Sequence, residues 1–233
     1  MPAKRKYGVS KAKASYPPLK RRKAMRTYSG ATASKLPLSV DHQLLRTKQN
    51  IVLRYHESFQ LNPGVAGAPS SYVFRSNSCF DPNVTGTGHQ PRGYDQIMAM
   101  YQFLAVKEAQ IEVWFQPRDG APVIVSINSN GTTMFSPSRN DMMENKTAVF
   151  NSAGGISSTG PSYLTLRVKP WQLAGTKLSE NDYKHAVGSN PVISNFFNVI
   201  GAPLEATDTG NIDCVARITF HCEVTEPISP PIS

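Results

Sequence analysis

Hydrophobic and polar residues alternate at both ends of the main part of the chain. Between Ile51 and Leu61 the odd positions are apolar or aromatic except Glu57, and the even positions are polar except Val52. From Cys214 to Val224 the even positions are apolar, and mostly polar residues stand between them. Side chains of a strand point alternately to its two faces. Both segments are therefore predicted to be strands with one face in a core and one face toward solvent.

Further strands are predicted between these ends, at 72–80, 98–106, 110–116, 121–128, 162–169 and 192–200. The intervening segments are rich in Gly, Pro, Ser and Asn, and no stretch has a helical period. Short strands joined by turn-rich connectors indicate an all-β sandwich or barrel. The segments 62–71, 81–96, 129–160 and 171–191 are predicted to be loops at its ends, and loops this long commonly contact other molecules.

One tryptophan breaks the division into an inner and an outer face. Trp114 projects opposite to its apolar neighbours Ile111, Val113 and Phe115 if 110–116 is a strand. Large apolar side chains are seldom left open to water in a contiguous patch. We therefore expect a second apolar surface of the chain, or a partner, to cover Trp114.

The three cysteines, Cys79, Cys214 and Cys222, are too few for a disulfide framework and have no zinc-ligand spacing. Cys214 and Cys222 lie on one face of one predicted strand about 27 Å apart, too far to be bonded to each other. A nucleophilic set of Cys79, His89 and Asp95 is conceivable, but Cys79 stands at a strand end where packing is the usual role. Free thiols packed in a core are expected.

No cofactor, metal site or enzymatic activity is predicted. The histidines show no metal-ligand pairing; they are His42, His56, His89, His185 and His221. Apolar stretches are only a few residues long, so neither membrane insertion nor a signal peptide is expected. The Asn-x-Thr patterns at Asn83, Asn130 and Asn145 are consequently not assigned as glycosylation sites.

Positive charge is concentrated at the start of the chain, and this concentration changes the functional picture. Of 25 Lys and Arg, eleven fall in residues 1–35, where there is no Asp or Glu. They are Lys4, Arg5, Lys6, Lys11, Lys13, Lys20, Arg21, Arg22, Lys23, Arg26 and Lys35. We divide the chain into a basic arm at 1–47, predicted to be disordered in isolation, and a nearly neutral body at 48–233.

The basic arm is predicted to bind nucleic acid, because unopposed cations neutralise phosphates and release counterions. Tyr7, Tyr16 and Tyr28 lie among the charges and could stack on unpaired bases. Two clusters also fit the acidic grooves of nuclear import receptors: Lys4, Arg5 and Lys6, and Lys20, Arg21, Arg22 and Lys23. The alternative is a tail that only increases solubility.

Residues 74–96 read FRSNSCFDPNVTGTGHQPRGYDQ. This run closely resembles a stretch in the capsid proteins of circovirus-like viruses with small circular single-stranded DNA genomes. The resemblance covers about 25 residues in detail, and the order of basic arm and strands agrees with the same family along the whole chain. In that family the run spans the end of strand C and the following loop of a single eight-stranded jelly roll, which is the fold expected here.

The resemblance implies a structural protein found in the virion, and in the host nucleus during assembly. Sixty copies would form a T=1 icosahedral shell through their loops, with arms directed inward onto a circular single-stranded DNA genome. An import receptor and an unidentified cell-surface receptor would be its host partners. Many relatives have arms of nearly pure arginine, whereas this arm mixes Lys, Arg and Ala, which favours diffuse electrostatic binding. The alternative function is a non-assembling cellular nucleic-acid-binding β-barrel protein.

The same run supplies a candidate contact site, the family loop motif. Its residues are Asp81, Pro82, Gly86, Gly88, His89, Gln90, Pro91, Arg92, Gly93, Asp95 and Gln96. The prolines are expected to fix turns, the glycines to permit positive φ, and the polar side chains to form hydrogen bonds. Bracing of a long loop and contact with a neighbouring subunit are both compatible with these residues.

Overall fold

A computed structural model of the chain describes residues 45–64, 67–118, 121–154, 162–205 and 210–228. Within these ranges the strands are β1 Lys48–Leu61, β2 Ser70–Arg75, β3 Tyr101–Pro117, β4 Val123–Asn130, β5 Val149–Ala153, β6 Ser162–Val168, β7 His185–Ala186, β8 Phe196–Pro203 and β9 Ile212–Pro227. The helices are α1 Tyr94–Met98, α2 Arg139–Met143 and α3 Pro170–Leu173. These described helices have four or five residues each, too few to cross a membrane.

The strands form two antiparallel sheets. The first sheet has the order β1-β9-β3-β6, with the short β7 also paired to β3, and the second has the order β2-β8-β4-β5. Apart from β7, every connection but the one from β4 to β5 crosses between the sheets, and the first strand pairs with the last. This strand order is that of a jelly roll, and the predicted all-β fold is confirmed.

The core lies between the sheets and follows the predicted alternation. On β1 the side chains of Leu53, Tyr55, Phe59 and Leu61 are buried, and the even positions from Val52 to Gln60 are exposed. On β9 every even position from Ile212 to Val224 is buried. Direct antiparallel pairing of β1 with β9 joins these inward rows into one apolar layer. The register predicted from alternation is therefore confirmed for both strands.

A β-bulge joins two predicted strands into one. The segments 98–106 and 110–116 were expected to be separate, but β3 runs continuously from Tyr101 to Pro117. Val106 pairs with Cys222 and Glu108 with His221, which leaves Lys107 as an extra residue. Leu104 and Val106, at even positions, face the core just before Lys107, whereas the core residues after it stand at odd positions from Ala109 to Phe115. The extra residue reverses the alternation, and the reversal looked like a break in the sequence pattern.

The strand predicted at 72–80 ends earlier, at Arg75. Beyond it the chain leaves the sheet because Ser76 N donates to the carbonyl of Asn195 and Arg75 N donates to that of Pro82. Asn77 then pairs with the segment before β8, donating from Nδ2 to the Ile193 carbonyl and accepting from Asn195 N. These bonds replace the continuation of the ladder.

The remaining boundaries differ from prediction by two to four residues or fall in segments expected to be loops. The strands expected at 121–128 and 192–200 are Val123–Asn130 and Phe196–Pro203, while 162–169 is confirmed to within one residue. The segment 129–160 contains α2 and β5, and 171–191 contains most of α3 and all of β7. Elements of two to five residues are too short to show a period.

The outer faces of the two sheets differ. The second sheet is covered by the segment 131–148: Ser126 Oγ donates to the Met142 carbonyl at 2.8 Å, and Met142 packs on Ile200 and Ala202. β4 is consequently buried on both sides through its middle. On the first sheet the outward side chains of β1 are exposed, as are Val215 and Arg217 of β9. The body therefore has one covered and one open sheet face.

Candidate functional site

The family loop motif begins with a segment that is braced by contacts within the chain. Arg75 Nη1 donates to the carboxylate of Asp81 at 2.6 Å and to its carbonyl at 2.9 Å. Pro82 is buried, and its carbonyl accepts from Arg75 N at 2.7 Å. Asp81 and Pro82 thus hold the loop against the end of β2.

Asn83 is the centre of this bracing, although it was not among the predicted site residues. Its Nδ2 donates to Tyr72 Oη at 2.8 Å and to Glu57 Oε2 at 3.2 Å. Its Oδ1 accepts from the backbone N–H groups of Thr85 and Gly86 at 3.0 and 2.9 Å. Asparagine commonly caps a turn two residues on in this way. The preference of asparagine for such turns was the sequence signal that could have indicated a structural role for Asn83.

Two glycines of the motif, Gly88 and Gly93, serve different purposes. Gly93 has φ 89°, the left-handed conformation, and precedes α1. Gly86 and Gly88 do not have positive φ, so that expectation was wrong for them. A Cβ at Gly88 would lie 2.6 Å from Asn83 Cβ and 3.0 Å from Tyr55 Oη. A side chain at Gly88 is therefore excluded by Asn83 of the same loop and by Tyr55 of β1.

The second half of the motif presents its polar side chains to an open cleft. The His89 ring stacks on Tyr55 with centroids 4.7 Å apart, and Pro91 is buried. A cleft of about 600 Å³ is lined by Arg54, His56, His89, Gln90, Pro91, Arg92, Gly93, Tyr94, Asp95 and Gln96. The side chains of Arg92, Asp95 and Gln96 are exposed and form no hydrogen bond or ion pair with other residues that the structure describes. They remain available for contacts with other molecules.

A second surface, the aromatic patch, lies on the open face of the first sheet and consists of Trp114, Tyr163, Val215 and Arg217. The rings of Trp114 and Tyr163 are 5.3 Å apart, and the Arg217 guanidinium lies 5.6 Å from the Trp114 ring. Tyr163 and Val215 are 42% and 39% exposed. Side chains of the same chain therefore cover Trp114 in part and leave an apolar surface around it.

Glu112 orders the polar edge of the aromatic patch. Arg217 Nε donates to its Oε2 at 2.7 Å and Tyr163 Oη to its Oε1 at 3.0 Å. The hydrogen bond from Arg217 holds the pKa of Glu112 below its usual value. The patch therefore combines two fixed aromatic rings with an oriented guanidinium.

The cysteines are buried and free, as expected. Cys79 Sγ lies 3.7 Å from Cys222 Sγ, and burial raises the pKa of the Cys79 thiol. This contact joins residues 143 apart in sequence and was not predicted. The conceivable set of Cys79, His89 and Asp95 is not assembled, because Cys79 is enclosed whereas His89 and Asp95 are exposed. No group of three His, Cys, Asp or Glu suited to a metal occurs in the described ranges.

A buried histidine lies beside the Tyr94 ring, with the two ring centroids 6.2 Å apart. His185 on β7 has no hydrogen-bond partner for Nε2 among the described residues, and the nearby Tyr94 hydroxyl likewise has none. Burial lowers the pKa of His185 from 6.5 to about 4. The ring is therefore neutral in the folded protein at physiological pH.

The eleven basic residues of the arm, with both predicted import clusters, lie outside the described residues. β1 begins at Lys48, and the division of the chain into arm and body at 47/48 stays a prediction. Nucleic-acid binding and import by the arm therefore remain predictions.

Comparison with known proteins finds strand arrangements similar to this one in viral structures. The structure titled Desmodium yellow mottle tymovirus has 12% identity and a TM-score of 0.38, covering 88% of this chain and 100% of that one. The 60-mer of the BFDV capsid protein has 11% identity and a TM-score of 0.44, covering 81% and 100%. The structure of Cocksfoot mottle virus has 10% identity and a TM-score of 0.45, covering 78% of this chain and 97% of that one. No family model and no curated protein matches the chain. Identities near a tenth and TM-scores below 0.5 assign no function.

Proposed function

We propose that this chain is a viral capsid protein that self-assembles into a small icosahedral shell and packages circular single-stranded DNA through its basic arm. The observation that carries the proposal is a jelly-roll body preceded by eleven basic and no acidic residues in its first 35. The motif at residues 74–96, which resembles that of circovirus-like capsid proteins, supports the same function. A jelly roll alone serves many purposes, so the combination is what favours this one.

Two surfaces of the body are suited to contacts between subunits. The aromatic patch contains Trp, Tyr and Arg, the residue types that contribute most to the binding energy of protein interfaces. The exposed polar side chains of Arg92, Asp95 and Gln96 suit the polar rim of such an interface. In this proposal 81–88 braces the loop and 89–96 contacts a neighbouring subunit, so the two roles are divided along the motif.

Packaging by the arm would be electrostatic. Sixty arms would bring about 660 cationic side chains to the genome, and each phosphate contacted releases condensed counterions. Binding should therefore depend steeply on salt and little on base sequence. Tyr7, Tyr16 and Tyr28 would add stacking that releases no ions.

Particle formation and packaging can be tested with two variants. The full chain should form uniform particles that contain nucleic acid, whereas deletion of residues 1–35 should give empty or irregular particles, since the body holds the assembly contacts. A chain with the same residues 1–35 in shuffled order is the matched control and should package normally. Size-exclusion chromatography, negative-stain microscopy and nucleic-acid content measure these outcomes. Small soluble species from the full chain would refute the capsid assignment, and normal packaging by the deletion would refute the role of the arm.

Nuclear import is proposed for the same arm. A fluorescent fusion should accumulate in the nucleus and lose this localisation when Lys20, Arg21, Arg22 and Lys23 are all replaced by Ala. Retention would leave Lys4, Arg5 and Lys6 as the sufficient signal, and retention after replacing both clusters would rule out the import proposal.

A further inference from the structure

A second cleft, the Trp171 cleft, lies on the first sheet near the start of β1. It has a volume of about 450 Å³. Its lining comes from three strands and from the segment after β6: Asn50, Ile51, Val52, Lys107, Glu108, Lys169, Trp171, Leu178, His221 and Cys222. The lining is mainly apolar and contains a tryptophan and two lysines.

The β-bulge of β3 builds this cleft. Lys107 is the extra residue, and its carbonyl accepts a hydrogen bond from Trp171 Nε1 at 3.0 Å. Its Nζ donates to Asn50 Oδ1 at 3.1 Å. A bulge commonly redirects a side chain next to a functional site. Here the bulge fixes the Nε1 edge of the half-exposed Trp171 indole and places the Lys107 ammonium group beside the same cleft.

The charges of the cleft favour an anion. Lys169 is exposed and Lys107 half-exposed, and neither is ion-paired with a described residue. The one carboxylate in the lining, Glu108, is paired with Arg167. The apolar walls include Val52, which is 51% exposed. An aromatic ring between apolar walls and unpaired ammonium groups matches a ligand that has both a flat apolar ring and a phosphate.

We infer that the Trp171 cleft binds one unpaired nucleotide of single-stranded DNA, with the base on Trp171 and the phosphate held by Lys107 and Lys169. Aromatic stacking with electrostatic contact to the backbone is the usual way in which proteins bind single strands. This inference rests on the proposed function and adds a binding site in the body to the one in the arm.

Tryptophan fluorescence tests the stacking, because the chain has two tryptophans and none in the arm. The full chain with Trp114→Phe reports only Trp171, and the matched control with Trp171→Phe reports only Trp114. Oligothymidylate should quench Trp171 saturably and leave Trp114 unchanged. An abasic oligomer of equal length, which has the charges but no bases, should not quench Trp171.

The phosphate contacts are tested by salt dependence in the Trp114→Phe background. Lys107→Ala and Lys169→Ala should each weaken oligothymidylate binding at low salt and reduce the slope of log affinity against log salt by about 0.7. Lys177→Ala is the control, because Lys177 is exposed close by in sequence but does not line the cleft. It should leave both the affinity and the slope unchanged.

Three outcomes would overturn the inference: equal quenching by the abasic oligomer, equal quenching of Trp114, or tight binding of thymidine monophosphate with no gain from a longer strand. A labelled oligothymidylate followed by anisotropy separates this failure from that of the proposed function. If the strand binds while Trp171 does not respond, the cleft assignment is wrong and packaging by the arm stands. If the strand does not bind at all, both fail.

Discussion

The neutral ring of His185 makes the folded subunit sensitive to acid. Its pKa is about 4 when folded, whereas an exposed histidine titrates near 6.5, so the unfolded chain binds the proton first as the pH falls. The contribution of the neutral His185 ring to the free energy of unfolding is fully present above pH 6.5 and is lost as the pH falls toward 4. We expect the free energy of unfolding to decrease by about 3 kcal/mol from this residue across that window. Urea unfolding at a series of pH values measures it.

The carboxylates of the chain also titrate in this range, so the comparison must isolate His185. His185→Gln should flatten the profile between pH 6.5 and 4 relative to the parent chain. A His185→Gln profile parallel to the parent would show that burial of the ring does not cause the pH dependence.

Adjacent residues on β9 provide a second test. Phe220 is fully buried between the sheets, while Thr219 faces outward and is half-buried. Phe220→Ala should cost about 3–5 kcal/mol of unfolding free energy through lost burial and a cavity. Thr219→Ala should cost less than about 1 kcal/mol. Chemical denaturation of both variants measures the difference, and equal losses would contradict the register.

The side chains that could be predicted at this scale are those governed by alternation alone. Phe220 faces inward because every second residue of a strand does, and no partner needs to be known. Asn83 and the pair of Cys79 and Cys222 could not be assigned in this way. Asn83 is bonded to Glu57 and Tyr72, which belong to other elements, and Cys79 contacts Cys222, which lies 143 positions away in sequence.

At the scale of elements, the loop between β2 and β3 depends on the absence of a side chain at Gly88. Gly88→Ala would place a methyl group against Asn83 and Tyr55, and we expect a loss of about 1–3 kcal/mol from overpacking. Gly131→Ala is the matched control, since a Cβ there meets nothing within 4 Å. Thermal unfolding compares the two. A larger loss for Gly131→Ala would contradict the close approach described for the loop.

Strands could be predicted where the alternation of apolar and polar residues continued without a break over many residues. β1 and β9 have 14 and 16 residues and were recognised from alternation. β3 was divided in two because the extra residue at Lys107 reverses the inward positions. β5 was missed because Phe150, Asn151 and Ser152 are all exposed, so this short edge strand shows no alternation.

At the scale of the whole molecule, the aromatic patch predicts a defect in assembly without a defect in folding. Val215→Asp places a charge in the patch, whereas Val192→Asp makes the same change at a valine that is 80% exposed outside it. Single exposed apolar residues are ordinary, but a contiguous set is typical of an interface. Both variants should show the far-ultraviolet circular dichroism of the parent.

Only Val215→Asp should reduce the yield of particles in negative-stain images, by about tenfold or more if the interface loses at least 1.4 kcal/mol. Normal particles from Val215→Asp would exclude the patch from the assembly contacts. An equal loss from Val192→Asp would show that the defect does not depend on the patch.

The sequence pattern limited the architecture to a sandwich or barrel, and the resemblance at 74–96 favoured the jelly roll among these. The strand order itself comes from pairings between distant segments, such as Ile51 with Cys222, which no local pattern contains. The family loop motif was located by the resemblance. The Trp171 cleft was not found, because its walls come from four segments between Asn50 and Cys222.

Because only one of the two sheets is covered, the two outer faces of the body differ and can make different contacts. If two copies meet through their open faces, a twofold axis relates them, and assembly through that face ends at a dimer. A contact between the open face of one copy and the covered face of the next leaves an open face free at the end of the pair. It is therefore heterologous, and it continues until rotation closes a ring or, if the angle does not close, grows into a filament. The segment 131–148 would then form one half of every such joint, so its thickness would help set how many copies complete the ring.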